Sequence, residues 1–469
     1  MDIFEGSREE EYEGYKSCIK NEYGINYSLL KWITQEQALA FEEKRQALLK
    51  KAGLRVCSKN TKIYSNKLAP GCKVCAGGQW SCLFISGICN GNCFYCPAPQ
   101  NEDTPPVSQN IFFSSAAEYA DYVEKLGFKG VGLSGGEPLI KFDLCLEYIR
   151  ELRKRFTNNF HIWLYTNGIL GTKEKFKALK DAGLNEIRFD IGATAYSLES
   201  VKMASEFFEN LTIEIPSVPE DLELLKVKLP EMEALKVKYL NLHQLRITPH
   251  NFENLLKRNY TYIHGKKALV AESEISALET INYCLEKNIN VSVNYCSFAY
   301  KNRIQTAAAR KKAAKLIREK YDDITENGYL RRVYIKGDRS FCDEKEINLK
   351  AILGNEGFER KGEKIYFKFN LFPLFTSPGL EINIEYHEPF ILPSISYYNF
   401  FKEIKLNSGK KIFAERKKAY ELSNLKMNEF SETKAKPVYL KILSMAENLA
   451  DKESVLKYER IEKNLLKYF

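Results

Sequence analysis

The chain has 469 residues, 44% of them apolar, and a net charge of +9, so it can bury a substantial core of one or two domains. No apolar run approaches the roughly 20 residues of a membrane helix. The acidic start Met1-Asp2-Ile3-Phe4-Glu5-Gly6 has no leader pattern, so a cytoplasmic protein without a membrane partner is expected.

Residues 1–56 read as charged helices with apolar positions at Leu29, Leu30, Trp32, Ile33, Leu39 and Phe41. A segment with two cysteines and three glycines follows at 71–78, and from about residue 82 strands alternate with helices. The run Cys82–Ile88 reads as a buried strand. Ser115 with Glu118 forms a capping box for a helix that Gly127 ends. Further strands are expected at 131–134, 160–165, 186–191, 211–215, 239–242 and 291–295. Strands joined by single helices imply a parallel sheet with right-handed crossovers, and six or seven such units curl into a full or partial barrel. After about residue 325 the pattern becomes antiparallel, at 329–336, 364–370 and 380–386, and residues 398–469 read as mostly helical. The expected class is α/β: a partial (βα) barrel at 81–322, an N-terminal helical and cysteine-containing extension at 1–80, and a mixed strand and helix region at 323–469.

Twelve cysteines are present, and six of them crowd between Cys72 and Cys96. In a chain expected to be cytoplasmic, that distribution argues for metal chemistry over disulfides. Cys89, Cys93 and Cys96 lie in one loop directly after the first barrel strand. Three thiolates can hold three irons of a 4Fe–4S cubane and leave the fourth iron open to a small molecule. Gly135-Gly136-Glu137-Pro138 follows the second barrel strand. There the glycines would let a ligand approach the backbone, and Glu137 with the exposed peptide groups would hold an ammonium group.

These two motifs together resemble the radical SAM superfamily. The Cys-x3-Cys-x2-Cys loop is matched by Cys89, Cys93 and Cys96, the Gly-Gly-Glu-Pro turn by residues 135–138, and the resemblance spans roughly 80–300. It implies a 4Fe–4S cluster whose open iron binds S-adenosylmethionine, and reductive cleavage to a 5′-deoxyadenosyl radical that takes hydrogen from a substrate. It further implies cofactor contacts from Tyr95, from Gly135, Gly136 and Glu137, from Thr166 and Asn167 after the third strand, and from Asp190 after the fourth. Within the superfamily the pattern is similar to a group related to pyruvate formate-lyase activating enzymes; that likeness does not give the substrate, which stays open between a protein and RNA, and a reduced ferredoxin or flavodoxin is a candidate for the electron donor.

Cys72 and Cys75 form a metal half-site that needs a partner. Cys82, Cys57 and Cys296 are candidates. Cys296 follows a late strand and should face the barrel mouth, so Cys72, Cys75 and Cys296 are candidates for an auxiliary iron–sulfur cluster or zinc, and reduced structural cysteines are the other open reading. His243, Lys301 and Arg303 are candidate substrate-facing groups. Residues 398–469 carry 16 Lys/Arg against 10 Asp/Glu. That excess keeps two rivals open: a radical SAM enzyme acting on RNA, and a non-catalytic iron–sulfur or zinc protein that binds nucleic acid.

Overall fold

In the computed structural model, which describes residues 6–157, 159–375, 380–426, 437–446 and 448–468, each expected βα unit between residues 80 and 300 is present. The chain opens with helices α1 (Gly6–Tyr23) and α2 (Gln35–Leu49), strands β1 (Arg55–Cys57) and β2 (Lys62–Tyr64), and a short helix α3 (Pro70–Ala76). The strands that follow are β3 (Trp80–Phe84), β4 (Val107–Ser108), β5 (Ile111–Phe112), β6 (Gly130–Ser134), β7 (His161–Thr166), β8 (Glu186–Phe189), β9 (Asn210–Pro216), β10 (Tyr239–His243), β11 (Tyr262–His264), β12 (Ala268–Val270) and β13 (Ser292–Cys296). Helices α4 (Ala116–Lys125), α5 (Phe142–Arg155), α6 (Lys173–Asp181), α7 (Glu199–Ala204), α8 (Leu222–Ala234), α9 (Phe252–Leu256) and α10 (Ala271–Glu286) join them. Ser115 caps α4 by accepting the Glu118 N–H, while the Glu118 carboxylate accepts the N–H of Ser114 rather than that of the cap itself.

β3, β6, β7, β8, β9, β10 and β13 are parallel neighbours in that order. The β4–β5 hairpin flanks β3, the β1–β2 hairpin pairs antiparallel with β13, and the two edges of the sheet do not meet. This is an open, partial (βα) barrel. On one face of its strands Ile187, Phe189, Ile213, Ile215, Leu240, Leu242 and Val293 are all buried, as apolar alternation requires. The other face is polar and bonded to itself across strands. Arg188 donates to Glu186 at 2.7 Å and to Glu214 at 2.6 Å, Asn241 donates to Glu214 at 2.9 Å, and Asn294 donates to Asn241 at 3.0 Å.

Helix α3 reaches this polar interior. The Gly71 N–H donates to Glu186 Oε2 at 2.9 Å, and a Cβ at residue 71 would lie 2.4 Å from Arg188 Nη2 and 3.0 Å from the Trp163 ring. Only glycine permits that approach. At the C-terminal ends of the strands, Ile19, Tyr23 and Leu30 of the N-terminal segment pack with Leu245, Ile247 and Phe252, and Phe94 and Tyr95 of the cysteine loop pack against them.

The chain forms two compact units, drawn differently from the sequence-based division at 80 and 322. One holds residues 10–305 with 406–408 and 463–469, so the N-terminal extension belongs with the barrel; the other is chiefly 306–405 and 409–462. The second unit contains α11 (Thr306–Ile317), β14 (Asp323–Ile324), β15 (Leu330–Lys336), α12 (Arg339–Leu353), β16 (Phe358–Lys361), β17 (Lys364–Phe367), β18 (Glu381–Leu392), β19 (Phe400–Lys405), β20 (Lys411–Lys426), α13 (Val438–Met445) and α14 (Leu449–Glu459). Its sheet runs β16-β17-β15-β18-β20-β19, with β14 on β15, antiparallel throughout.

The expectation of helix across 398–469 therefore needs correction. Residues 400–405 and 411–426 are strands, 438–445 and 449–459 are helices, and 427–436 lie outside the described residues. The Ala, Glu, Lys and Leu content of β20 favours helix locally, but pairing with β18 and β19 overrides it, and Ile412, Ala414, Leu422 and Leu425 are buried. No helix among the described residues is long and apolar enough to cross a membrane.

Candidate active site

The three clustered cysteines lie in an irregular loop between β3 and β4, free of helix and strand. Two short bonds shape it: Cys89 N–H to Gln100 C=O at 2.9 Å, and Cys96 N–H to Cys93 C=O at 3.0 Å. Cys89 Sγ accepts the Gly91 N–H at 3.3 Å and an Asn167 Nδ2–H at 3.7 Å, whereas Cys96 donates to Ala98 C=O at 3.3 Å. Burial pushes the Cys89 thiol up, and pushes Cys93 up to about 12, where the nearby Asp190 carboxylate adds to the effect. Asn251 ties the loop from above by donating to Tyr95 C=O at 3.0 Å, and Thr248 donates to Pro97 C=O at 3.1 Å.

The Gly135–Pro138 turn packs on the strand exit that leads into this loop. Gly136 N–H bonds Ser86 C=O and Glu137 N–H bonds Ile88 C=O, both at 2.8 Å. Gly135 has φ of +152°, and a Cβ on Gly136 would lie 2.2 Å from the Ile88 oxygen. The glycines are thus required by the chain's own close approach. The Glu137 side chain is 2% exposed and its oxygens are already taken. Oε1 accepts the Leu139 N–H and the Thr166 hydroxyl, each at 2.8 Å, and Oε2 accepts the Asn167 N–H at 2.6 Å. Burial raises this carboxyl's pKa against the pull of those donors.

Asn167 then reaches across to Asn90 Oδ1 at 2.8 Å, beside its contact with Cys89. At the end of β8, Asp190 Oδ1 accepts the Tyr95 hydroxyl at 2.7 Å and the Gly192 N–H at 3.1 Å, and burial moves Asp190 up to about 6. Residues singled out separately at the C-terminal ends of β3, β6, β7 and β8, and in the loops that follow, therefore meet in two bonded sets, Glu137–Thr166–Asn167–Cys89 and Asp190–Tyr95.

Cys72, Cys75 and Cys296 are placed elsewhere. Lys62 Nζ donates to Cys296 Sγ at 3.6 Å, and this buried ammonium also feels the charges of Cys72, Cys75 and Cys57. Cys72 accepts from Asn241 at 3.2 Å; Cys75 contacts the Tyr300 hydroxyl at 3.2 Å and Gln305 at 3.1 Å. Burial is the largest single influence on the Cys296 thiol and raises it, but Lys62, His243 and Lys301 together outweigh burial, and the thiol falls to about 6. His243 Nε2 bonds Glu214 Oε1 at 2.5 Å and its Nδ1 accepts from Lys301 at 3.0 Å. Arg303 turns away to the Asn464 carbonyl at 3.0 Å.

A family model described as the radical SAM superfamily matches residues 83–221. A protein of Methanocaldococcus jannaschii, named as a candidate glycyl-radical enzyme activating enzyme, is 32% identical over 295 residues, which cover 60% of this chain and 76% of that protein. The chain belongs to the radical SAM superfamily. Shorter matches reach GTP 3′,8-cyclases: that of Aquifex aeolicus is 38% identical over 110 residues, 23% of this chain and 33% of the cyclase. Among solved structures, Streptococcus suis SuiB bound to S-adenosylmethionine aligns with a TM-score of 0.37 and 14% identity over 54% of this chain and 59% of that one.

As a member of that family the enzyme works with a 4Fe–4S cluster and S-adenosylmethionine. The cysteine loop suits the cluster. Its thiols feel one another's charge, and Cys89 already has the two N–H donors that a cluster thiolate accepts. Among the described residues no three His, Cys, Asp or Glu side chains stand close enough to grip a metal ion as they are. In a loop without regular structure, side-chain torsions set the sulfur separations.

Several participants escaped the sequence reading: Lys62, Glu186, Arg188 and Glu214. A signal for two of them was in view. In Glu186-Ile187-Arg188-Phe189-Asp190 the charged residues alternate strictly, which places them on one face of β8. Lys62 gave none, because its strand has three residues and its partner Cys296 is 234 positions away.

Proposed function

We propose that Cys89, Cys93 and Cys96 hold the 4Fe–4S cluster, and that the enzyme takes hydrogen from a protein or peptide substrate. The carrying observation is the bonded set that joins Cys89 through Asn167 to Glu137 and Thr166, beside the Tyr95–Asp190 pair. When bound, the cluster and S-adenosylmethionine supply one-electron reduction and hydrogen abstraction.

The chain's own residues orient and enclose. Glu137 is a positioning residue: it locks the Thr166–Asn167 turn to the Gly135–Gly136 turn, beside which the cofactor's amino acid end would lie. Asp190 fixes Tyr95, so that the aromatic between the second and third cysteines has one orientation. Ile19, Tyr23 and Leu30 pack on the loops above and exclude water. The glycyl-radical activating description of the Methanocaldococcus relative supports a protein substrate. Around Cys72, Cys75 and Cys296 the Lys62 ammonium favours a charge-compensated sulfur pocket over a second metal.

The test is anaerobic reconstitution with iron and sulfide, then dithionite and S-adenosylmethionine. Release of 5′-deoxyadenosine is expected from the wild type. Iron content of a variant lacking all three loop cysteines should fall to background, and retained iron there would require a second metal site.

A further inference from the structure

The loop after β10 carries an arginine with nothing to bind. Arg246 lies three residues beyond the C-terminal end of β10, so it stands at the barrel mouth. Its loop is stitched to the cysteine loop: Asn251 Nδ2 donates both to Arg246 C=O at 3.2 Å and to Tyr95 C=O at 3.0 Å. The guanidinium is partly buried, and burial lowers its pKa. Among the described residues its guanidinium makes no hydrogen bond and no ion pair, and it lies over the face of Phe298 at 5.6 Å. The nearest acid that it feels, Glu22, is held by Lys267 at 2.5 Å.

Two further groups converge there. The Tyr23 hydroxyl, in a side chain 7% exposed, is buried without a hydrogen-bond partner, and it interacts electrostatically with Arg246. Lys301 lies over the same Phe298 ring at 4.9 Å and within electrostatic reach of Arg246. It is carried by a π-helical turn, Tyr300–Gln305, of the kind that often marks functional sites. A partly desolvated guanidinium without an anion is unfavourable, and so is a buried hydroxyl without a partner. A planar carboxylate satisfies both, taking the guanidinium fork with two oxygens and the hydroxyl with a remaining lone pair.

We propose that Arg246, with the Tyr23 hydroxyl and the Lys301 ammonium beside it, anchors a carboxylate of the substrate at the barrel mouth. The proposal rests on the radical SAM reading for the identity of that mouth. It narrows the substrate class to molecules or peptide segments that carry a carboxylate near the reacting carbon. S-adenosylmethionine also has a carboxylate, and the test separates the two sources.

Binding is measured by saturation-transfer NMR on the reconstituted enzyme, with N-acetylglycine as the carboxylate probe and N-acetylglycinamide as its neutral counterpart. Each is titrated with and without saturating S-adenosylmethionine. The wild type should prefer the carboxylate by about tenfold, the effect of one charge-assisted contact, and the preference should persist with S-adenosylmethionine present. Arg246→Gln should abolish it, Arg246→Lys should keep part of it, and Tyr23→Phe should weaken carboxylate binding by roughly threefold. The last two variants decide the matter if Arg246→Gln does not fold. Equal binding of the two probes to the wild type, an unchanged preference in Arg246→Gln, or displacement of N-acetylglycine by S-adenosylmethionine would each overturn the proposal. Those outcomes with intact 5′-deoxyadenosine release remove the anchor alone; absence of release from the wild type removes the radical SAM assignment of this site.

Discussion

Glu137 shows how a residue read as a ligand contact becomes a brace. Three donors converge on its carboxylate, so Glu137→Gln places an amide NH2 against at least one of them and leaves that donor unpaired. A loss of about 1–3 kcal/mol is expected, seen as a lower denaturation midpoint. S-adenosylmethionine should also bind more weakly, because the Thr166–Asn167 turn loses its register. His264 gives a second test, in pH. It stacks on Trp32 with ring centroids 3.9 Å apart, and its nitrogens bond the hydroxyls of Tyr12 and Tyr27. Burial depresses its folded pKa to about 4 from the usual 6.5. The unfolded chain therefore takes up a proton first as pH falls, and stability present above pH 6.5 is lost progressively down to about pH 4. The full effect is on the order of 3 kcal/mol. Denaturant unfolding at pH 7 and pH 4.5 should show a larger loss in the wild type than in His264→Gln; equal losses would refute it.

At the scale of elements, α3 is the piece whose placement is most demanding. Gly71→Ala pushes a methyl into Arg188 and Trp163, so α3 must withdraw from the barrel interior, at a cost of about 1–3 kcal/mol. Gly77→Ala, at the end of the same helix, meets nothing nearer than 3.6 Å and should be close to neutral in thermal unfolding. The barrel strands were legible because buried apolar runs alternate with capped helices, and the loop cysteines because their spacing is local. The same locality explains what was missed. β20 is rich in helix formers, and it is pairing with β18 on one side and β19 on the other that makes it a strand. The bonds of Lys62 to Cys296 and the approach of Tyr23 to Arg246 join residues more than two hundred positions apart. No window of the sequence contains either pair. The Gly135–Glu137 turn was found, but its physical work was hidden, since the groups it meets, Ser86, Ile88, Thr166 and Asn167, come from two other loops.

For the whole molecule, the N-terminal segment belongs with the barrel and packs on the mouth, while the second unit is built around an antiparallel sheet. Part of the basic excess of residues 398–469 is absorbed by pairs such as Arg416–Asp322 at 3.3 Å and Lys418–Glu385 at 3.3 Å, and this weakens the case for a nucleic-acid surface built from it. The central claim is that Cys89, Cys93 and Cys96 hold the cluster that cleaves S-adenosylmethionine. It is tested most directly by comparing 5′-deoxyadenosine release from reconstituted wild type and Cys93→Ala under dithionite. The account predicts steady release from the wild type and none above background from the variant. Release at the same rate from Cys93→Ala would contradict it.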